Sequence, residues 1–213
     1  MTRILSAALL CAALAPLAHA AEGTRTFDFT ASLDGKPIGH HRFTVTTQAD
    51  GSRKVSSEAD FQVRVLGIAA YHYHHHADEQ WQGDCLASLK ADTDDDGKPS
   101  HVTLERHGDD ATLRANDATS TVPGCVMTYA YWNPALRAQH RLLNPQTGKF
   151  DAVTVEKVAD GKVSVGGKDV AATDWRITGG ESPVDVWVSE QGDWVGLDST
   201  VAKGKHKLSY RLP

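Results

Sequence analysis

Apolar and polar residues alternate over most of the chain. Phe27, Phe29, Ala31 and Leu33 are apolar, and Asp28, Thr30 and Ser32 stand between them. A period of two puts successive side chains on opposite faces of an extended chain, so this run predicts a half-buried strand. Asp34-Gly35 follows as a turn, Phe43 and Val45 resume the pattern, and Asp50-Gly51 marks the next turn. Val55, Ala59, Phe61, Val63 and Val65 then alternate with Lys54, Ser56, Glu58, Asp60, Gln62 and Arg64. Similar runs surround Val102-Leu104, Val153-Val155, Trp175-Ile177, Val184-Val186-Val188 and Leu208-Tyr210-Leu212, with Gly, Asp and Asn between them. The pattern predicts an all-β, mainly antiparallel domain. One stretch departs from it. Asn133 suits a helix N-cap, Pro134 the first helical position, and Asn144-Pro145 a stop, which predicts one short helix near 134–143. A long antiparallel sheet must hide its edges, so the expected architecture is a curved sheet closing into a barrel or half-barrel around that helix.

Composition refines this picture. The chain has 213 residues, a formal charge of −5, 40% hydrophobic and 23% charged residues, which fits a globular protein rather than a disordered one. The acidic balance argues against a nucleic-acid partner, which would call for a basic face. Met1-Thr2-Arg3, an apolar run from Ile4 to Leu17, and Ala18-His19-Ala20 together read as a secretory signal peptide over residues 1–20. Cleavage is expected between Ala20 and Ala21. Cys11 follows Leu9-Leu10 rather than a small residue, which speaks against lipidation. Residues 21–213 then form a single β-rich domain without a transmembrane segment, periplasmic or secreted. No repeat, low-complexity tract or linker divides it. The two remaining cysteines, Cys85 and Cys125, form an isolated pair that an oxidising compartment would join as a disulfide. A redox centre or metal site is the rival reading, but no C-x-x-C is present.

The segment Tyr71-His72-Tyr73-His74-His75-His76-Ala77-Asp78-Glu79-Gln80-Trp81 holds the most conspicuous chemistry. As a strand it would carry Tyr71, Tyr73, His75, Ala77, Glu79 and Trp81 on one face and His72, His74, His76, Asp78 and Gln80 on the other. His-x-His on a strand sets two rings on one side, about 7 Å apart at the backbone. Such rings suit Zn or Cu, so His72, His74, His76 and Asp78 are the candidate metal ligands, with His40-His41 on a neighbouring strand. A solvated, pH-responsive face explains the same residues without metal. Asp92-Thr93-Asp94-Asp95-Asp96-Gly97 opens like a calcium loop, but Thr103 stands where the bidentate Glu belongs, and a hairpin turn at Asp96-Gly97 accounts for it. No G-x-S-x-G or phosphate loop is present, so no enzyme activity and no catalytic residue is indicated.

Several of these residues resemble a known family. Leu33-Asp34-Gly35-Lys36-Pro37-Ile38-Gly39-His40-His41-Arg42-Phe43, Trp81-Gln82-Gly83-Asp84-Cys85-Leu86, Tyr131-Trp132-Asn133-Pro134 and Leu142-Leu143-Asn144-Pro145-Gln146-Thr147-Gly148 resemble an exported bacterial family catalogued as domain-of-unknown-function family 6134. The resemblance covers nearly all of the domain and implies no activity. It also extends, distantly, to exported β-rich families shaped like lipoprotein and lipid carriers. The run His74 to His76 departs from the more Arg- and Glu-rich strand expected there. Export, alternation and this likeness together point to a carrier of an apolar ligand, such as a lipid or fatty acyl chain, in a β-barrel cavity. Tyr71, Tyr73, Trp81, Tyr131 and Trp132 are the expected lining, with the 134–143 helix as plug or gate. The alternatives are an envelope structural or assembly factor acting through protein contacts, and a His-cluster metal-binding protein.

Overall fold

The computed structural model describes residues 22–213; the expected signal peptide and its cleavage point lie outside them. Fifteen strands follow one another: β1 (Gly23–Leu33), β2 (Lys36–Thr47), β3 (Arg53–Val65), β4 (Ile68–Gln82), β5 (Cys85–Asp95), β6 (Lys98–His107), β7 (Asp110–Ala115), β8 (Ala118–Pro123), β9 (Arg141–Leu143), β10 (Phe150–Ala152), β11 (Thr154–Val165), β12 (Lys168–Thr178), β13 (Val184–Ser189), β14 (Trp194–Val201) and β15 (His206–Arg211). Thirteen of them form one sheet, ordered from β11 through β15 and then from β1 through β8. Every neighbouring pair is antiparallel. The β1–β15 pair joins the two ends of the domain, with Ala31 opposite Tyr210. The sheet curls without closing: β8 and β11 remain its edges. Among the described residues no helix is long and apolar enough to cross a membrane.

Alternation builds the core. The inward positions of β1 to β8 include Phe27, Phe29, Phe43, Val45, Val55, Phe61, Trp81, Leu89, Val102, Leu104 and Leu113, all buried. They form one continuous cluster with Val126, Met127, Ala130, Leu136, Leu142, Leu143 and Val153. The connection between β8 and β11 therefore fills the inside of the curl, where its side chains complete the apolar interior. It is fastened there. Cys85 and Cys125 are bonded, with Cα atoms 5.0 Å apart. The Leu86 amide donates to the Val126 carbonyl at 2.9 Å, and Asn133 Nδ2 donates to Asp84 Oδ1 at 3.3 Å.

The expected helix is shorter than its sequence suggested. Only Pro134–Ala138 is helical, as a 3₁₀ turn capped by the Asn133 side chain, which accepts from the Ala135 amide at 3.0 Å. Leu142 and Leu143 are extended instead. The Leu143 amide donates to the Met127 carbonyl at 2.8 Å, and β9 pairs with β10. Tertiary pairing and complete burial of both leucines override the weak local helix signal. The Asp-rich run is a hairpin turn as expected. Asp96 and Gly97 have φ of 52° and 80°, and the Gly97 amide donates to Asp94 Oδ1 at 2.7 Å.

Candidate functional site

The register of β2 to β5 aligns His41, Ala59, His75 and Thr93 across four neighbouring strands. The next inward row is Phe43, Ser57, Ala77 and Ala91. Beyond it come Val45, Val55, Glu79 and Leu89. Small residues at Ala59 and Ala77 leave room between the larger ones. A cavity of about 310 Å³ opens over these rows. Its wall includes His41, Phe43, Val55, Ser57, His75, Ala77 and Glu79 from the sheet, and Leu197, Leu208 and Tyr210 from β14 and β15. Thr128 to Trp132 cover it from the inner segment, and exposed Gln146, Glu181 and Ala202 stand at its opening.

The polar groups inside are organised rather than scattered. His41 Nε2 lies 2.8 Å from Ser57 Oγ, and its Nδ1 lies 3.2 Å from the Tyr210 hydroxyl. Both ring nitrogens are thus engaged. His75 Nδ1 lies 2.8 Å from Thr93 Oγ1. Its Nε2 has no protein partner among the described residues, although the residue is only 3% exposed and lines the cavity. Because a threonine hydroxyl either donates or accepts, Nε2 is free to present a lone pair or an N–H to a ligand. Glu79 accepts from Trp81 Nε1 at 2.8 Å and from Thr128 Oγ1 at 3.0 Å.

Burial sets the charge of this site. Desolvation, and secondarily the other imidazole, depress His41 to about 3. Desolvation, then the charges of His76 and His74, depress His75 to about 4. Both rings are therefore neutral at pH 7. Desolvation raises Glu79 to about 7 against the opposing hydrogen bonds from Trp81 and Thr128. An indole N–H can only donate, so the Trp81 partner oxygen must accept. When Glu79 takes up a proton, it sits on the oxygen facing Thr128, and the Thr128 hydroxyl then accepts instead of donating.

The expected site residues separate into three groups. Tyr131 and Trp132 do line the cavity. Tyr71, Tyr73 and Trp81 do not belong to its wall. Tyr71 donates to Asp95 Oδ1 at 2.7 Å, Tyr73 stacks on Phe61 with ring centroids 5.3 Å apart, and Trp81 sits in the closed core edge-on to Trp132 at 5.5 Å. The cavity occupies the middle rows of β2 to β4, whereas Tyr71 and Tyr73 lie toward the β3–β4 turn and Trp81 is covered by Trp132. The histidines of the opposite face point outward, as the parity required. His72 pairs with Asp96 at 3.2 Å and Asp94 at 3.6 Å, His74 with Asp60 at 3.9 Å, and His76 with Asp78 at 3.1 Å. Among the described residues no group of three or more His, Cys, Asp or Glu is arranged to hold a metal. The residues that sequence reasoning passed over are Ser57, His75, Glu79 and Tyr210, while His41, noted there only beside the metal candidates, lines the cavity instead. The available signal was a polar or charged side chain at apolar parity, as at His75 and Glu79.

Comparison with known proteins bears on the fold and the family. A crystal structure titled as a beta-barrel-like protein of domain of unknown function DUF1849, from Brucella abortus, matches with a TM-score of 0.62 at 9% identity. The match covers 90% of this chain and 95% of that one. At that identity it shows a common barrel-like fold. No curated protein sequence matches this chain. The family model described as domain of unknown function (DUF6134) matches residues 29–212, from the middle of β1 through β15 with the inner segment and the cavity, and the chain belongs to that family.

Proposed function

We propose that this protein binds a small amphipathic molecule in the cavity inside the curled sheet, in a compartment outside the cytoplasm. The observation that carries the reading is the Nε2 of His75, which has no protein partner among the described residues and belongs to a side chain that lines the cavity. A neutral imidazole nitrogen open to the cavity can donate to or accept from a ligand head group. The apolar part of the ligand would rest on Phe43, Val55, Tyr131, Trp132, Leu197 and Leu208. A volume of about 310 Å³ is at the low end of ligand pockets, which favours a short acyl chain or similar small molecule over a whole phospholipid. The disulfide and the leader-like residues 1–20 support export.

Catalysis is the lesser reading. The Ser57–His41–Tyr210 chain has the spacing of a base-activated hydroxyl. Yet a ring depressed to about 3 is a poor proton acceptor near neutral pH, so His41 holds Ser57 rather than activating it. The test is native mass spectrometry of untagged protein recovered from the host envelope, followed by thermal shift with medium-chain acids, alcohols and amines. A co-purifying small molecule that is lost in His75→Phe, with the variant still folded, is the expected result. An empty cavity and no shift with any probe would refute the proposal.

A further inference from the structure

The β3–β4 hairpin extends past its neighbours. Pairing of β2 with β3 ends at Gly39–Phe61, and pairing of β4 with β5 ends at Tyr73–Asp95. The Asp96 amide still donates to the His72 carbonyl at 3.0 Å, and from Val63–Tyr71 to Val65–Ile68 the two strands pair only with each other. This part is a finger two strands wide. At its end Leu66 is 98% exposed and Ile68 73%, and Ala69 and Ala70 are exposed beside them. The seven residues Val65-Leu66-Gly67-Ile68-Ala69-Ala70-Tyr71 carry no charge. Arg64 and His72 are the first basic side chains on either strand.

The turn itself breaks a local rule. Leu66 and Gly67 have φ of 52° and 83°. Two turns of the same form in this protein, Asp34-Gly35 and Asp96-Gly97, use aspartate at the first position, with φ of 49° and 52°. Aspartate or asparagine is the favoured residue there, and a branched apolar side chain is strained. Leu66 gains nothing in return from the fold, because it contacts solvent. Strain that the fold does not repay marks a functional position.

We propose that this finger inserts its tip into the surface of a lipid bilayer. A bilayer surrounds an inserted tip on all sides, which suits a narrow finger that ends in exposed Leu66 and Ile68. A stable protein interface needs about 800 Å² from each partner, more than so narrow a tip presents. The layering along the finger suits shallow insertion: Leu66 and Ile68 at the tip, then Arg64, level with Ala69, to meet phosphates, then Tyr71, level with Val63, where tyrosines collect. Arg64 stands directly behind the first strand pair, so the turn and that pair enter while the guanidinium stays among the head groups. This inference stands independently of the cavity reading.

The test is flotation of the protein, as its host processes it, with vesicles of phosphatidylethanolamine containing a minor fraction of phosphatidylglycerol. The parent is expected to float, and Leu66→Asn/Ile68→Asn to bind roughly tenfold more weakly or less. Leu66→Asn alone is expected to weaken binding while keeping or raising Tm, because asparagine relieves the turn. Amide exchange over residues 64–72 is expected to slow when vesicles are added. Equal flotation of parent and variants, or no flotation of a folded parent, would overturn the proposal and assign the tip to a protein partner. A lower Tm in Leu66→Asn would overturn the strain argument.

Discussion

Glu79→Gln should abolish one specific component of the pH dependence of stability. The carboxyl is buried in the core between Trp81 and Thr128, and desolvation lifts it from its ordinary 4.5 to about 7. In the unfolded chain it ionises near 4.5. Between these values the folded state keeps a proton that the unfolded state has released. Stability therefore falls as pH rises: the contribution is fully present below 4.5 and lost as pH passes through about 7. At about 1.4 kcal/mol per pH unit the difference amounts to roughly 3 kcal/mol. Glutamine mimics the protonated acid, since its carbonyl accepts from Trp81 and its amide donates to the Thr128 hydroxyl. Glu79→Gln should match the parent near pH 4.5 and exceed it by roughly 3 kcal/mol above about pH 7. Denaturant melts of both proteins over a pH series, plotted as their difference, cancel every other titrating group. A difference that stays flat across this range would refute the assignment of a raised carboxyl to Glu79.

The buried imidazoles predict the opposite slope. His41 and His75 have folded values near 3 and 4 against an ordinary 6.5, so their contribution is complete above 6.5 and lost as pH falls through 4 and then 3. In Glu79→Gln, acid unfolding should remain, and replacing His75 by Asn should flatten it in melts between about pH 4 and 6.5. Opening the Cys85–Cys125 bond releases a loop spanning a sequence separation of 40, so the doubly serine-substituted protein should lose about 4 kcal/mol in denaturant melts. Gly39→Ala should fail to fold or lose more than about 3 kcal/mol, since a Cβ there would meet the Asp60 carbonyl oxygen at 1.9 Å and φ is +152°. Soluble yield and circular dichroism report that outcome.

The parts of this protein visible in its sequence are those fixed by neighbours along the chain. The period of two in Tyr71 to Trp81 assigned His75, Ala77, Glu79 and Trp81 inward and His72, His74 and His76 outward, because the pleat leaves a strand no other choice. The Asp96-Gly97 turn and the Asn133 cap were visible for the same reason: each is decided by a few consecutive residues. The inner segment was not, because Leu142 and Leu143 take their conformation from Met127 and from β10, partners that no local pattern names. The cavity is more distant still from the sequence. It exists because Ala59 separates His41 from His75 across three strands, and because Tyr210 reaches His41 from 169 residues away. A polar residue at an inward position is the one local trace such a site leaves. On β4 that trace is double, at His75 and Glu79, and the two lie four residues apart on the same face of one strand. Burial drives the imidazole toward its neutral form and the carboxyl toward its protonated form, so the two opposed shifts leave a site with little charge of its own. Such a site selects a ligand by hydrogen bonding and shape, and its affinity for an amine over an acid should rise as Glu79 ionises near pH 7.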